Sequence, residues 1–396
     1  MKKFHKPKNL MLMIWFLAVI LFLSATNASW FTSIVKPELQ GINLENAKSR
    51  TDSWDMKFRA YFHYKEKLLD ICGLSYLILN KKTADNFQFV KDQYNTMQFT
   101  EPNWNAAHAI ESITVLNDRF AERGIPLVYA VFPPRFNADD FPLSHEVDFN
   151  GQRDENIMNE TEKAGVNVLD IGRILGVSEQ IVFKTDLHMK TETEFRAAKV
   201  LSSKLMDMGL DFKNFDEIYD PANYTIVSHP FMGNLSRSTG KYFTLGIDDF
   251  EIYYPGFPTN FTLINPSAHL EKHGDFTKTL MNGYEDDLEE NPMPYWVLNY
   301  LQYPSPYYRI SNHNIEDGCS LLFIMDSYTM RAATFLALGA KEITVVDPRG
   351  EGGNEILKTL MAEGDFDAVI VTFSGSDLYN AIDFSQPVQA APQADQ

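Results

Sequence analysis

Leu321-Leu322-Phe323-Ile324-Met325-Asp326-Ser327-Tyr328, with Thr329 to Gly339 behind it, decides how this chain folds. The run of Leu, Phe and Ile is short and unbroken, which reads as a buried strand. It stops at Asp326-Ser327. Beyond Thr329 the apolar positions are Met330, Ala332, Ala333, Phe335, Leu336 and Leu338, a helical spacing, and Gly339 can close the helix. The stretch therefore predicts strand, sharp turn and helix, with Ser327 at the bend. Open α/β sheets hold their ligands beyond the carboxyl ends of the strands. A hydroxyl there is placed to act as a nucleophile, with backbone N–H groups facing whatever it attacks. Asp and Ser are also ordinary helix N-caps, and a purely capping role fits the same residues.

The flanking sequence alternates helix and strand. Asn105 to Arg123 is amphipathic, with Ala109, Ile110, Ile113, Leu116 and Phe120 on one face and Gly124 as its stop. Ile125 to Phe132 reads as a strand left through Pro133-Pro134-Arg135. A helix over about 152–164 and a strand from Val166 to Ile171 follow. After the serine helix come strands from Glu342 to Val346 and from Phe366 to Phe373. Nearer the N-terminus, the segment from Trp54 has helical character up to Gly73, and Leu74 to Leu79 reads as a strand. This order predicts an α/β fold, a mostly parallel sheet with helices on both faces. Residues from about 212 to 310 break the pattern. They are rich in Pro, Gly, Asn and aromatic residues and show little helical period, so they are expected to be a loop-rich insert of irregular loops and short strands.

Charge and targeting bound the function. The formal net charge is -18, yet Lys2, Lys3, Lys6 and Lys8 all precede the first apolar run, so the rest is more acidic still. A basic footprint for phosphates is missing, which argues against nucleic acid as a partner. The apolar run Leu10 to Ala25 is short for a membrane span and long for a signal core. With Ala25 and Ala28 available for cleavage, residues 1–28 read as a signal peptide or an uncleaved anchor. The lysines place the N-terminus in the cytoplasm and the remainder outside. The chain is thus expected to be exported and held at the membrane by this segment. Residues 29–53 read as a polar linker, 54–383 as the main domain and 384–396 as a disordered tail. Cys72 and Cys319 permit one bridge or two free thiols. No zinc-ligand spacing is present, and no metal or organic cofactor is expected.

A serine nucleophile needs a base, and the base needs an orienting group. Phe183-Lys184-Thr185-Asp186-Leu187-His188-Met189 offers both. Asp186 and His188 are two apart, so an extended segment projects them to one side. A helix from Glu194 to Met208 follows. A D-x-H triplet alone is common, and a capping Asp beside an exposed His would explain it equally.

Order and context add to this. The chain resembles the SGNH-hydrolase-like domain of the AlgX/AlgJ type and its DHHW-motif relatives, over about residues 54 to 380. Thr185-Asp186-Leu187-His188 matches the family's T-D-x-H motif, which precedes the nucleophile because the motif order is permuted. Met325-Asp326-Ser327-Tyr328 matches the G-D-S-[FY] block, and Val346-Asp347-Pro348-Arg349 the D-x-R after the next strand. Phe231-Met232-Gly233-Asn234-Leu235 and Asp249-Phe250-Glu251-Ile252-Tyr253 resemble its connecting segments, and Val131-Phe132-Pro133-Pro134-Arg135 a strand-end loop. Met189 stands where the family has Trp, and Met325 where it has Gly.

The resemblance implies a three-layer α/β/α sandwich and an O-acetyltransferase of an exported polysaccharide. Ser327 would be the nucleophile, His188 the general base and Asp186 its orienter. Arg349 and Tyr328 would serve the oxyanion or the substrate. It further implies a polysaccharide acceptor and an acetyl donor relayed by a multi-pass membrane acyltransferase. Two other readings stay open: a carbohydrate acetyl esterase using the same triad, and an inactive polysaccharide-binding or scaffold protein. The departures at Met189 and Met325 motivate the last.

Overall fold

The computed structural model describes residues 7–28, 64–84, 89–91, 97–99, 106–133, 151–176, 181–283, 288, 294–301 and 305–373. The expected linker and tail, and Pro134-Arg135, lie outside them. The chain divides into two units, Met1–Ser75 and Tyr76–Gln396. In the first, a helix Pro7–Thr26 carries the apolar N-terminal run. Among the described residues no helix is long and apolar enough to cross a membrane.

A helix Lys65–Ile78 runs through Gly73. The strand expected at Leu74 to Leu79 is therefore helical. A short apolar run cannot be told from a helix segment by periodicity, and a mid-helix glycine costs only about 1 kcal/mol relative to Ala. Three short strands, β1 (Thr83–Ala84), β2 (Phe89–Lys91) and β3 (Met97–Phe99), pair as a small antiparallel sheet.

The main sheet is built from β4 (Leu127–Val131), β5 (Asn167–Asp170), β8 (Phe261–Asn265), β9 (Leu270–Gly274), β10 (Tyr307–Asn312), β11 (Ser320–Ile324), β12 (Glu342–Val346) and β13 (Ala368–Val371). Between β5 and β8, β6 (Tyr224–Phe231) and β7 (Asp248–Pro255) form a separate antiparallel pair. The main sheet's spatial order is β5-β4-β13-β11-β12-β10-β8-β9. Its first five strands are parallel; β10, β8 and β9 extend it antiparallel. The insert over 212–310 is thus more regular than its composition suggests. Three of its strands add to the sheet, because Phe261, Leu263, Tyr308 and Ile310 supply alternate buried positions.

Alternation along each parallel strand sorts its side chains to two faces. Leu321 and Phe323 of β11, Val128 and Ala130 of β4, and Ala368 and Ile370 of β13 join one apolar cluster. That cluster includes Phe195, Ala198 and Leu201 of the helix Thr191–Asp207, and Ala332, Phe335 and Leu336 of the helix Met330–Leu336. Leu322, Ile324, Tyr129 and Val369 face the other way. They meet Ala109, Ile113, Leu116 and Phe120 of the helix Ala106–Ala121, Ile157 of Gly151–Lys163, and Leu357 of Gly353–Glu363. The result is an α/β/α sandwich with a mostly parallel sheet, and the amphipathic face read from sequence is the one buried. Gly124, at φ 74, ends the helix Ala106–Ala121 in the left-handed region that glycine tolerates.

Position in the sheet singles out β11. The helix behind it leads to β12 on one side, and the helix behind β12 leads to β13 on the other. Those helices lie on opposite faces. A strand between such diverging connections opens a crevice at its carboxyl end, and Ser327 is the first residue of the turn there.

Phe323 is fully buried in the centre of this arrangement. Phe323→Ala should cost about 3–5 kcal/mol, read from denaturant unfolding. A loss under about 1 kcal/mol would mean that β11 is not the core strand.

Candidate active site

Asp326 caps the turn after β11, its carboxylate accepting the Tyr328 N–H at 2.8 Å. A 3-10 turn Ser327–Thr329 passes into the helix Met330–Leu336. Ser327 is half-buried at its start. The Tyr328 hydroxyl donates to the Pro133 carbonyl at 3.1 Å, fastening this turn to the loop that leaves β4. Met325 is fully buried in extended continuation of β11, and its N–H donates to the Val346 carbonyl at 2.9 Å. It is not among the residues of positive φ, so the backbone here does not require the family's glycine.

The second element is the segment before the helix Thr191–Asp207. Asp186 is completely buried and His188 nearly so. Asp186 Oδ1 accepts the His188 N–H at 3.1 Å and lies 2.6 Å from His188 Nδ1. A carboxylate partner makes Nδ1 the protonated nitrogen of the neutral ring, which leaves Nε2 as a base. Asp186 Oδ2 accepts the Asn234 N–H at 2.8 Å and the Tyr295 hydroxyl at 2.9 Å. Burial acts to raise the Asp186 pKa. The hydrogen bond and charge of His188, with the Asn234 and His188 N–H groups, outweigh it and hold the carboxyl at about 2.

Local backbone packing makes this possible. Gly233 abuts the segment so closely that a Cβ there would stand 2.3 Å from Asp186 Cβ and from the Thr185 carbonyl oxygen. Only a residue without a side chain lets the turn bring the Asn234 N–H to Asp186. Gly233 and Asn234 thus line the site and act on Asp186 through the backbone. The Thr185 carbonyl accepts the Leu235 and Ser236 N–H groups. Asp248, opening β7, accepts from the Lys184 and Thr185 N–H groups at 3.0 and 2.8 Å and from the Thr185 hydroxyl at 2.5 Å.

A buried ion pair ties the Ser327 and His188 segments together. Arg331, on the helix after Ser327, pairs through Nη2 with Glu194 Oε1 and donates to the Met189 carbonyl, one residue past His188. Glu194 Oε2 accepts the Ala332 N–H at 3.0 Å. Both side chains are essentially inaccessible, and the guanidinium lies over the Phe250 ring, 5.5 Å from its centroid. Burial pushes the Glu194 carboxyl up to about 7, against the pull of Arg331. Met189, where the family has Trp, is itself fully buried.

The structure therefore joins Asp186 to His188 directly, and links their segment to the Ser327 turn through Arg331. Among the described residues neither Ser327 Oγ nor His188 Nε2 has a hydrogen-bond partner, so the serine–histidine bond of a closed triad is not formed in this geometry. Arg349 follows β12 and is engaged by the Asp347 carboxylate, Nε to Oδ1 at 3.0 Å and Nη2 to Oδ2 at 2.8 Å. No hydrogen bond joins it to Ser327. Among the described residues no three His, Cys, Asp or Glu side chains cluster as metal ligands. Cys72 and Cys319 are free thiols; burial raises the Cys319 thiol to about 11. Sequence reading missed Tyr295, Asp248, Glu194 and Arg331. An arginine inside the apolar run Met330 to Leu336 was the one available signal.

In fold the chain is SGNH-hydrolase-like, an α/β/α sandwich with a mostly parallel sheet. Residues 89–237 match the family described as SGNH hydrolase-like domain, acetyltransferase AlgX. No curated protein matches the chain by sequence. In structure the chain is similar to a DHHW family protein from Eubacterium siraeum, with TM-score 0.55 and 14% identity over 72% of this chain and 89% of that one. It is also similar to Bacillus cereus PatB1 carrying a sulfonyl adduct, with TM-score 0.57 and 16% identity over 74% and 95%. The similarity to the AlgX-type domain read from the motifs is thus found independently.

Two measurements test this site. Arg331→Met leaves a buried Glu194 without its partner and should cost about 3–5 kcal/mol, much of it recovered by adding Glu194→Leu. Equal losses in the single and double variants would show that the pair does not act as a unit. For Asp186 the folded pKa lies below the ordinary 3.8. Its stabilisation is therefore present above the unfolded value and lost as pH falls through about 2. Relative to Asp186→Asn, the wild type should lose about 2 kcal/mol between pH 4 and pH 2, measured by denaturant unfolding. A constant difference would contradict the assignment.

Proposed function

We propose that this protein is an exported serine acyltransferase that acetylates a cell-surface or exported polysaccharide. The joined Asp186–His188 pair carries the reading, because a buried carboxylate on Nδ1 sets the tautomer that leaves Nε2 a base. His188 Nε2 takes the Ser327 proton as Oγ attacks the donor's acetyl carbonyl. The Ser327 N–H, which has no acceptor among the described residues, receives the oxyanion. Collapse of the tetrahedral intermediate expels the donor's oxygen, which takes the proton back from His188. The acetyl-serine is then attacked by a sugar hydroxyl, deprotonated by the same base, and Ser327 is regenerated. No step calls on a metal or an organic cofactor. Arg349, held by Asp347, and Tyr328, held by Pro133, shape the rim and contact substrate.

The acetyl donor is supplied by a multi-pass membrane acyltransferase, and the N-terminal segment keeps the domain beside it. That placement is supported by the lysine-flanked apolar run. The match to a model described as an acetyltransferase supports acetyl transfer over hydrolysis. The assembled Asp186–His188 pair favours an enzyme over a binding scaffold.

Incubation of the full chain with p-nitrophenyl acetate should release nitrophenolate and leave an acetyl group on Ser327, seen by peptide mass spectrometry. Ser327→Ala should lose both, and His188→Ala should lose about 10²–10⁴-fold in rate. Release that is unchanged in Ser327→Ala would end the proposal.

A further inference from the structure

We infer that Tyr295 is a positioning residue for the catalytic pair, its phenol fixing the Asp186 carboxylate so that Oδ1 stays on His188. The inference deepens the acyl-transfer reading and rests on it. The two oxygens of a carboxylate exchange by rotation about Cβ–Cγ, and donors on both sides of the group fix its plane. Asp186 Oδ1 takes two donors from His188, at 2.6 and 3.1 Å. Oδ2 takes the Asn234 N–H at 2.8 Å and the Tyr295 hydroxyl at 2.9 Å. Tyr295 reaches in from a third segment, 109 residues further along the chain. With it, the last strand-free part of the insert acquires a reason to lie against the Asp186 segment.

The phenol is itself well held. Its ring lies against Phe231, with centroids 5.9 Å apart, and Phe231 packs edge-on to Phe183 and Phe250. The next residue, Trp296, is fully buried and stacks on His229 at 4.4 Å. Phe183 begins the run that leads to Asp186, so the ring and the carboxylate share one support. Burial and the Asp186 charge push the Tyr295 phenol above its ordinary value. It therefore remains protonated and can only donate to a carboxylate. Phenylalanine at this position keeps the ring packing and removes only the donor.

Loss of the hydroxyl has two consequences of definite sign. The carboxylate gains freedom to turn from His188, so turnover falls while donor binding does not change. Its charge is also less dispersed, which strengthens its hydrogen bond with the Nδ1 proton and shifts that proton's resonance. The test uses the full chain with Tyr295→Phe, p-nitrophenyl acetate as substrate, and the His188 Nδ1 proton resonance by NMR. Expected are a kcat lower by on the order of tenfold, the loss of one hydrogen bond to a charged group, an unchanged KM and a shifted Nδ1 proton. Wild-type kcat with an unshifted proton would overturn the inference and leave the ring a packing residue. A raised KM with unchanged kcat would also overturn it, placing Tyr295 on the substrate. Ser327→Ala is measured alongside. If that variant keeps the wild-type rate, the acyl-transfer reading fails, while the Nδ1 proton still decides whether Tyr295 sets the Asp186–His188 bond.

Discussion

A carboxylate removed from water is the constraint on which this site is built. Asp186 has no solvent access, and an unpaired charge in that position would cost several kcal/mol. It is retained because donors arrive from several directions: the imidazole and N–H of His188, the Asn234 N–H and the Tyr295 hydroxyl. Each donor imposes a requirement elsewhere. The Asn234 N–H needs a glycine at 233, since any side chain would enter Asp186. The bend through Lys184 and Thr185 needs Asp248 to take its N–H groups. The insert between β5 and β11 supplies these groups, so its departure from helix-strand alternation has a local cause.

The other half of the site is held by a different device. The Ser327 turn belongs to the sheet and the His188 segment to a distant stretch of chain, so their relative position is not fixed by local structure. Arg331 and Glu194 fix it. One guanidinium meets both the Glu194 carboxylate and the Met189 carbonyl, and the same Glu194 receives the Ala332 N–H. Burying such a pair is rarely a net gain against well-packed apolar residues of like size. What it adds is a charged tie between the two segments, made through Nη2 to Glu194 and to the Met189 carbonyl. Apolar packing between the helices Thr191–Asp207 and Met330–Leu336 would tolerate small slips that this contact does not.

Much of the fold was legible because its signals are local. The run from Leu321 to Ile324, and the change of period after Thr329, set the β11–turn–helix unit to within two residues. The face of Ala109, Ile113, Leu116 and Phe120 gave the helix on the opposite layer. The 74–79 segment failed because a six-residue run with five apolar side chains fits either period. The added strands β8, β9 and β10 were hidden by a composition that looks irregular when their partners in the sheet are unknown. In the site, the Asp186–His188 pairing was readable because both residues lie on one short segment. The Arg331–Glu194 contact spans more than a hundred residues, and the Tyr295–Asp186 contact likewise, so spacing carries no trace of either.

Two methionines mark where this chain departs from the motif pattern of the AlgX-type domains it resembles, and their surroundings show what each substitution asks of the backbone. Glycine before the Asp-Ser pair would be needed if residue 325 had positive φ or if a chain crossed it closely. Met325 instead extends β11 by one hydrogen bond to Val346 and turns its side chain into the apolar cluster. A flexible thioether can shape itself to an irregular apolar space. Met189 is likewise buried, bridged in antiparallel fashion to Val182. An aromatic ring at 189 could brace His188 by contact alone. Here the backbone is braced instead, by Val182 on one side and Arg331 on the other, and the Asp186–His188 bond is kept without the ring.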